Sequence, residues 1–175
     1  MLLFLDFDGV LHPENVRLIK GRPTLIDEGV LFMWEHHLEA LLAPHHHVRI
    51  VLSTTWARRL GFQRAKKYLS PALQARVIGA TWHSGMDQDR YYNVCIYGDS
   101  YRPKWETWWD LASRYQQIAR YVERARVQEW VAIDDDDEGW PDEMRDRLVH
   151  TNEQQGLGDP ETRERLETLL GRSAK

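Results

Sequence analysis

Apolar residues fall in short runs separated by polar, glycine-bearing or proline-bearing stretches, and the runs alternate between two periods. Leu2-Leu3-Phe4-Leu5 is continuously apolar and stops at Asp6. A run of that length bounded by turn chemistry reads as a buried strand. Strand side chains alternate, so Leu3 and Leu5 face one way and Leu2 and Phe4 the other. Two apolar faces argue for helices on both sides of a parallel sheet. Val48–Leu52 and Glu129–Ile133 repeat the pattern, and 77–79 and 148–150 read as shorter strands.

Between the strands the spacing becomes helical. Val30, Leu31, Trp34, Leu38, Leu41 and Leu42 predict a helix over 28–42, stopped by Pro44. A second helix is expected over 56–69, and Ser70-Pro71 opens a short turn of helix. Tyr115, Ile118 and Val122, with Ala119 or Ala125, form an apolar stripe. Ser113 and Gln116 match a capping box, which starts that helix. A short helix is expected over 141–147 and a loop over 156–158. Asp159-Pro160 opens a last helix, packed by Leu166, Leu169 and Leu170 and ended by Gly171. Residues 11–27, with Pro13, Gly21 and Pro23, read as a loop or small hairpin over the end of the first strand. Alternating strands and helices predict an α/β fold, a doubly wound parallel sheet with helices on both faces. The whole chain, 1–175, reads as one domain with a small lid insertion at 81–109.

Composition narrows the chemistry. The 175 residues suffice for a real core, and the net charge of −4 argues for neither nucleic acid nor membrane. The single cysteine, Cys95, excludes an internal disulfide and a multi-cysteine metal site. That usage suits a reducing cytoplasm. No apolar run approaches a membrane span, and the first strand lacks the basic leader of a signal peptide. His45-His46-His47 enters a strand with alternating directions, so it reads as a solvated loop rather than a metal site.

The first strand ends in Asp6-Phe7-Asp8-Gly9. In a parallel sheet the carboxyl ends of strands carry the chemistry. Two close carboxylates repel, so they need a cation or one shared proton. Bound Mg²⁺ would keep Asp6 ionised and nucleophilic, while Asp8 holds a proton as general acid. Gly9 lets the backbone turn sharply and approach a phosphate. A solvated acidic turn is the competing reading.

Asp6-Phe7-Asp8-Gly9-Val10 after an apolar strand resembles the first motif of the haloacid dehalogenase-like (HAD) superfamily of phosphotransferases. The resemblance implies that Asp6 forms an aspartyl-phosphate and Asp8 protonates the leaving group. It implies a phosphate-oxygen contact at the second strand end, first Ser53 and then Thr54. Either hydroxyl could instead cap the next helix. A basic residue is implied before the fourth motif. Arg114 matches that place, though the superfamily usually has Lys there, and Lys104 is the alternative. A cation in the first turn of a helix is unfavourable by ~0.3–1 kcal/mol unless an anion sits nearby. An exposed surface arginine is the plainer reading.

Asp134-Asp135, ending the strand over 129–133, resembles the fourth motif and implies Mg²⁺ ligands beside Asp6 and the Asp8 backbone carbonyl. Asp136, Asp137 and Glu138 read as solvated, with Asp137 in reserve. The resemblance covers nearly the whole chain. It is nearest to small members with Leu-Ser-Thr-x-Trp as second motif and Ile-Asp-Asp-Asp as fourth, a type related to domains of RNA-repair proteins. It implies the first strand at the sheet centre, between the second strand and the Asp134 strand.

Residues 81–109 are rich in Trp and Tyr, interleaved with His83, Arg90, Arg102 and Lys104. Core, lid, base stacking and partner contact all fit such a pattern. The expected activity is a Mg²⁺-dependent phosphomonoester hydrolase with a phosphorylated small-molecule, nucleotide or nucleic-acid-end substrate. The alternatives are a 3′ or 5′ nucleic-acid end-processing phosphatase, or a silent module that binds a phosphorylated ligand or protein.

Overall fold

The computed structural model describes residues 1–88, 90–97 and 100–172, with side chains at 1–86 and 107–172. In chain order the elements are β1 (Leu2–Leu5), β2 (Val16–Ile19), β3 (Arg22–Leu25), α1 (Glu35–Leu42), β4 (Arg49–Leu52), α2 (Thr55–Leu60), α3 (Phe62–Lys66), α4 (Pro71–Arg76) and β5 (Val77–Ala80). Then follow β6 (Arg90–Tyr97), β7 (Ser100–Thr107), α5 (Trp108–Leu111), α6 (Arg114–Ala125), β8 (Trp130–Asp134), β9 (Leu148–His150) and α7 (Pro160–Arg172). Turns of 3₁₀-helix occupy Ser84–Gln88, Asp142–Arg147 and Gly156–Gly158.

Five strands form a parallel sheet in the order β5-β4-β1-β8-β9. The order matches the sequence expectation, with β1 central and flanked by β4 and β8. Leu3 and Leu5 pack with Ile50, Leu52, Val131 and Ile133 against Leu38, Leu42, Leu166 and Leu170 of α1 and α7. Phe4, Val51 and Ala132 point the other way, onto Ile118 of α6, Trp130 and Trp140. Both faces are therefore covered. Leu3, Phe4 and Leu5 are fully buried, and each stabilises the sheet by roughly 1.5–3 kcal/mol.

The register positions the chemistry. Leu5 lies opposite Leu52 on one side and Ile133 on the other. The next residues, Asp6, Ser53 and Asp134, therefore leave the sheet side by side. Asp6 N–H donates to the Ile133 carbonyl at 3.2 Å, and Ser53 N–H donates to the Leu5 carbonyl at 2.8 Å. Parallel strands lie about 4.8 Å apart, so three strand ends bring their side chains within reach of one ion.

The irregular 11–27 segment is a hairpin of β2 and β3, closed at Lys20-Gly21, where both residues have positive φ. Residues 90–97 and 100–107 form a second two-stranded ribbon, β6 with β7, outside the main sheet. The side chains of Tyr91, Tyr92, Tyr97, Tyr101, Lys104 and Trp105 lie outside the described residues.

Three helix boundaries differ from expectation. The first helix begins at Glu35, not at 28, because the chain turns through Phe32 in the left-handed region (φ 62°). The 56–69 helix is two, broken at Gly61 (φ 87°), a conformation that an L side chain adopts only under strain. The last helix runs through Gly171 to Arg172 instead of stopping at the glycine. Among the described residues no helix is long and apolar enough to cross a membrane.

Candidate active site

Asp6 leaves β1 almost fully buried. Its Oδ1 accepts the Phe7 N–H at 2.7 Å, and its Oδ2 accepts Arg114 Nη2–H at 2.8 Å. Asp134 ends β8, fully buried, and its Oδ1 accepts the Asp136 N–H at 3.1 Å. Asp134 Oδ2 lies 2.9 Å from Arg114 Nε, an ion-pair contact rather than an aligned hydrogen bond. One guanidinium thus spans two carboxylates from two neighbouring strands.

Arg114 can do this because Ser113 caps α6. The Ser113 hydroxyl accepts the Gln116 N–H at 3.3 Å, while the Gln116 side chain accepts the Ser113 N–H at 3.0 Å. Gln117, one turn on from Arg114, accepts Nη1–H at 3.2 Å and donates to the carbonyls of Trp109 and Ala112. The arginine is therefore tied down from behind. Burial alone would lower its pKa, but the attraction of Asp134 and Asp6 wins and raises it. The anions expected beside the first-turn cation are these two carboxylates, and the exposed-arginine reading fails.

Asp135 completes the group. Asp6, Asp134 and Asp135 each offer an oxygen, all within 4.8 Å of one another. Gly9 makes room for it. A Cβ at Gly9 would collide with the Asp135 carboxylate, and its φ of 66° is left-handed. Thr151, at the end of β9, fixes that turn by donating from Oγ1 to the Gly9 carbonyl at 2.8 Å.

Three carboxylates face one guanidinium, which leaves excess negative charge in a buried place. Burial pushes all three carboxyls up, and repulsion adds to it, from Asp8 on Asp6 and from Asp6 on Asp134 and Asp135. Asp135 reaches about 7. Asp134 Oδ2 and Ser53 Oγ are buried without a hydrogen-bond partner among the described residues. Excess charge and three hard oxygen donors within 4.8 Å of one another fit a divalent cation such as Mg²⁺. The orphaned Ser53 hydroxyl fits an anionic oxygen.

A pH dependence follows. In the unfolded chain Asp135 has an ordinary pKa of about 3.9; folded and metal-free it titrates near 7. Between these values the folded state binds more protons, so the contribution of Asp135 to metal-free stability falls as pH rises from about 4 to about 7. Metal binding displaces those protons, so the Mg²⁺-induced rise in Tm should be larger at pH 8 than at pH 5.5. Scanning calorimetry with and without Mg²⁺ checks this, and Asp135→Asn should flatten the difference.

The other sequence candidates are placed as follows. Thr54 does two jobs: its hydroxyl accepts the Trp56 N–H at 3.3 Å as cap of α2, and its side chain hydrogen-bonds Asp6. Asp137 turns away to Arg145 at 2.8 Å and stays outside the cluster. The Asp8 carboxylate is also outside it, so any metal contact from Asp8 falls to its backbone carbonyl. The Lys104 side chain lies outside the described residues. Arg58 and Arg59 line an open cleft of about 1070 Å³ with Trp109, Arg114, Gln117 and Asp136. Arg58 donates to Asp110 at 3.3 Å.

Sequence reasoning gave no role to Gln117, Thr151 or His12, nor to Trp56, the tryptophan of the Leu-Ser-Thr-x-Trp motif. Gln117 was readable, three residues past Arg114 on the same helix face. Trp56 Nε1–H donates to both Asp8 oxygens, at 2.9 and 3.0 Å, and His12 Nε2 lies 3.1 Å from Asp8 Oδ1. The Trp56 contact links residues 48 apart, which no spacing rule predicts.

A parallel α/β sheet with an acidic group and a tethered cation at its central strand ends is the arrangement that the HAD resemblance implied. The profile of the family described as the HAD domain in Swiss Army Knife RNA repair proteins matches residues 2–162, and the chain belongs to that family. Membership supports a HAD-type hydrolase. No match was found among curated proteins or among solved structures.

Proposed function

We propose that this chain is a Mg²⁺-dependent phosphomonoester hydrolase that works through an aspartyl-phosphate on Asp6. The observation that carries the reading is the convergence of Asp6, Asp134, Asp135 and Arg114 at adjacent strand ends. Asp6, Asp134 and Asp135, with the Asp8 carbonyl, would hold Mg²⁺, which when bound neutralises phosphoryl oxygens.

The chain does the rest. The Asp6 carboxylate bonds to phosphorus as the bond to the leaving oxygen breaks. Asp8 gives that oxygen its proton, and the alcohol departs. Asp8 then takes a proton from water, whose oxygen bonds to phosphorus as the Asp6–phosphorus bond breaks. Inorganic phosphate is released, and both carboxyls return to their starting states. Arg114 and Ser53 hold the transferring group, with Thr54 and Lys104 as further phosphate contacts.

The test is turnover of phosphomonoesters with Mg²⁺, lost with chelator and restored by added metal. No turnover across metabolites, nucleotides and oligonucleotides would leave a silent phospho-ligand module.

A nucleic-acid end is the second reading. The cleft beside Arg114 exceeds what drug-sized ligands occupy, about 300–1,000 Å³, and Arg58 and Arg59 line it. The family's link to RNA repair points the same way. A 3′- or 5′-phosphorylated oligonucleotide should then be preferred over small esters. Equal rates would count against this substrate.

A further inference from the structure

Asp8 is held by a device that the strand-end cluster does not explain. The Trp56 indole N–H straddles its two carboxylate oxygens, and His12 Nε2 touches Oδ1. The bonds to two oxygens oppose rotation of the carboxyl about its Cβ–Cγ bond. The indole itself is wedged edge-on between Phe7, Phe32 and Tyr68, with ring centroids 5.6, 5.5 and 5.0 Å away. His12 is fully buried, 4.9 Å from the Phe32 ring. Phe32 reaches this place only by adopting a left-handed backbone, an uncommon conformation for a bulky residue.

Packing alone does not account for these two polar groups. A phenylalanine at position 12 or 56 would supply an apolar ring. The histidine instead buries Nδ1 without a partner among the described residues, which is unfavourable. Both groups reach the same carboxylate. A fixed N–H also binds a carboxylate more strongly than a neutral carboxylic acid. The contact therefore strengthens as Asp8 gives up its proton, which is how a neighbour favours a transition state over a ground state.

We propose that Trp56 and His12 are positioning residues that hold the Asp8 carboxyl in the orientation from which it protonates the leaving oxygen. This rests on the phosphatase reading above. The step is the one already written: the proton leaves Asp8 for the departing alkoxide, giving an alcohol and an Asp8 carboxylate.

The test separates orientation from general damage by leaving group. An alkoxide must be protonated to leave, whereas p-nitrophenolate leaves as the anion. The parameter kcat/KM covers steps only through that departure, so later hydrolysis does not enter. With Mg²⁺ present, Trp56→Phe should lower kcat/KM for glycerol phosphate by about tenfold or more, and for p-nitrophenyl phosphate by less than about threefold. His12→Phe should show the same split and unfold no earlier than the parent. It is the second arm if Trp56→Phe fails to fold. Asp8→Asn should show the split at larger amplitude. In ¹H–¹⁵N spectra the indole cross-peak lost in Trp56→Phe should move in Asp8→Asn.

Equal losses on both esters, or no loss on either, overturn the positioning role while the phosphatase reading stands. An indole cross-peak unmoved by Asp8→Asn overturns the contact itself. A parent chain that hydrolyses neither ester overturns the phosphatase reading, and the positioning role falls with it.

Discussion

Asp6→Asn is expected to abolish phosphomonoester turnover, a loss of about four orders of magnitude or more in kcat, while the chain stays folded. The amide cannot form the bond to phosphorus that the proposed mechanism assigns to the carboxylate. The fold should survive because the charge is not what holds it. Burial pushes the Asp6 carboxyl up, Arg114 pulls it down, and the net direction is up. Ionised Asp6 is thus a burden on the metal-free fold. Its neutral isostere removes repulsion with Asp8 and Asp135, and Asp134 still pairs with Arg114 at 2.9 Å. Thermal unfolding without metal should stay where it is or move up. An unchanged rate would remove Asp6 as nucleophile. A collapsed fold would show that the Asp6–Arg114 contact is structural first.

Arg114→Met is expected to give the largest stability effect. Breaking a buried ion pair from one side costs about 3–5 kcal/mol, and here two buried carboxylates lose the same partner. The penalty should depend on pH and on metal. Without the arginine both carboxyls are pushed further up, so the folded state takes up protons in acid and part of the loss is recovered there. Urea unfolding should therefore show a larger deficit at pH 8 than at pH 5, and Mg²⁺ should narrow it at pH 8. Arg114→Lys restores one charge but not the planar reach from Nη2 to Asp6 and from Nε to Asp134, so it should rescue only partly. A deficit under about 1 kcal/mol at pH 8 would mean that the carboxylates are already neutral in the parent chain.

The two variants separate roles that share one contact. On the proposed reading Asp6 belongs to the chemistry and should be tolerated by the fold. Arg114 would belong to both, since it pairs with the buried carboxylates and lies where it could meet phosphoryl oxygens. Its unusual identity then has a physical sense. A guanidinium can touch two carboxylates at once with separate nitrogens, whereas an ammonium presents one nitrogen.

Local pattern carried much of this molecule. Leu2–Leu5, with both faces apolar, already implied a central strand covered on both sides, and Leu3 and Leu5 do part from Phe4 into separate core clusters. Asp6 at the end of one such run, and Asp134-Asp135 at the end of another, were readable because a parallel sheet has only one end at which to place them. The capping box of Ser113 and Gln116 put Arg114 in the first turn of α6, and hydrogen bonds from neighbours in sequence suffice to build it. Backbone breaks were less legible. Phe32, whose ring packs on Phe7, Trp56 and Tyr68, delays the first helix, and Gly61 breaks the second; both do so through positive φ values, which an apolar spacing rule does not contain.

What the chain's order of residues determined by itself was the set of strand ends and the acidic or hydroxyl groups upon them, because strand period and turn chemistry are local. What only the tertiary structure decided was who meets whom: Arg114 bridging Asp6 and Asp134, Asp135 over Gly9, and Trp56 on Asp8. Those meetings depend on sheet register and on side chains sharing one buried volume, and both arise only when segments far apart in the chain pack together.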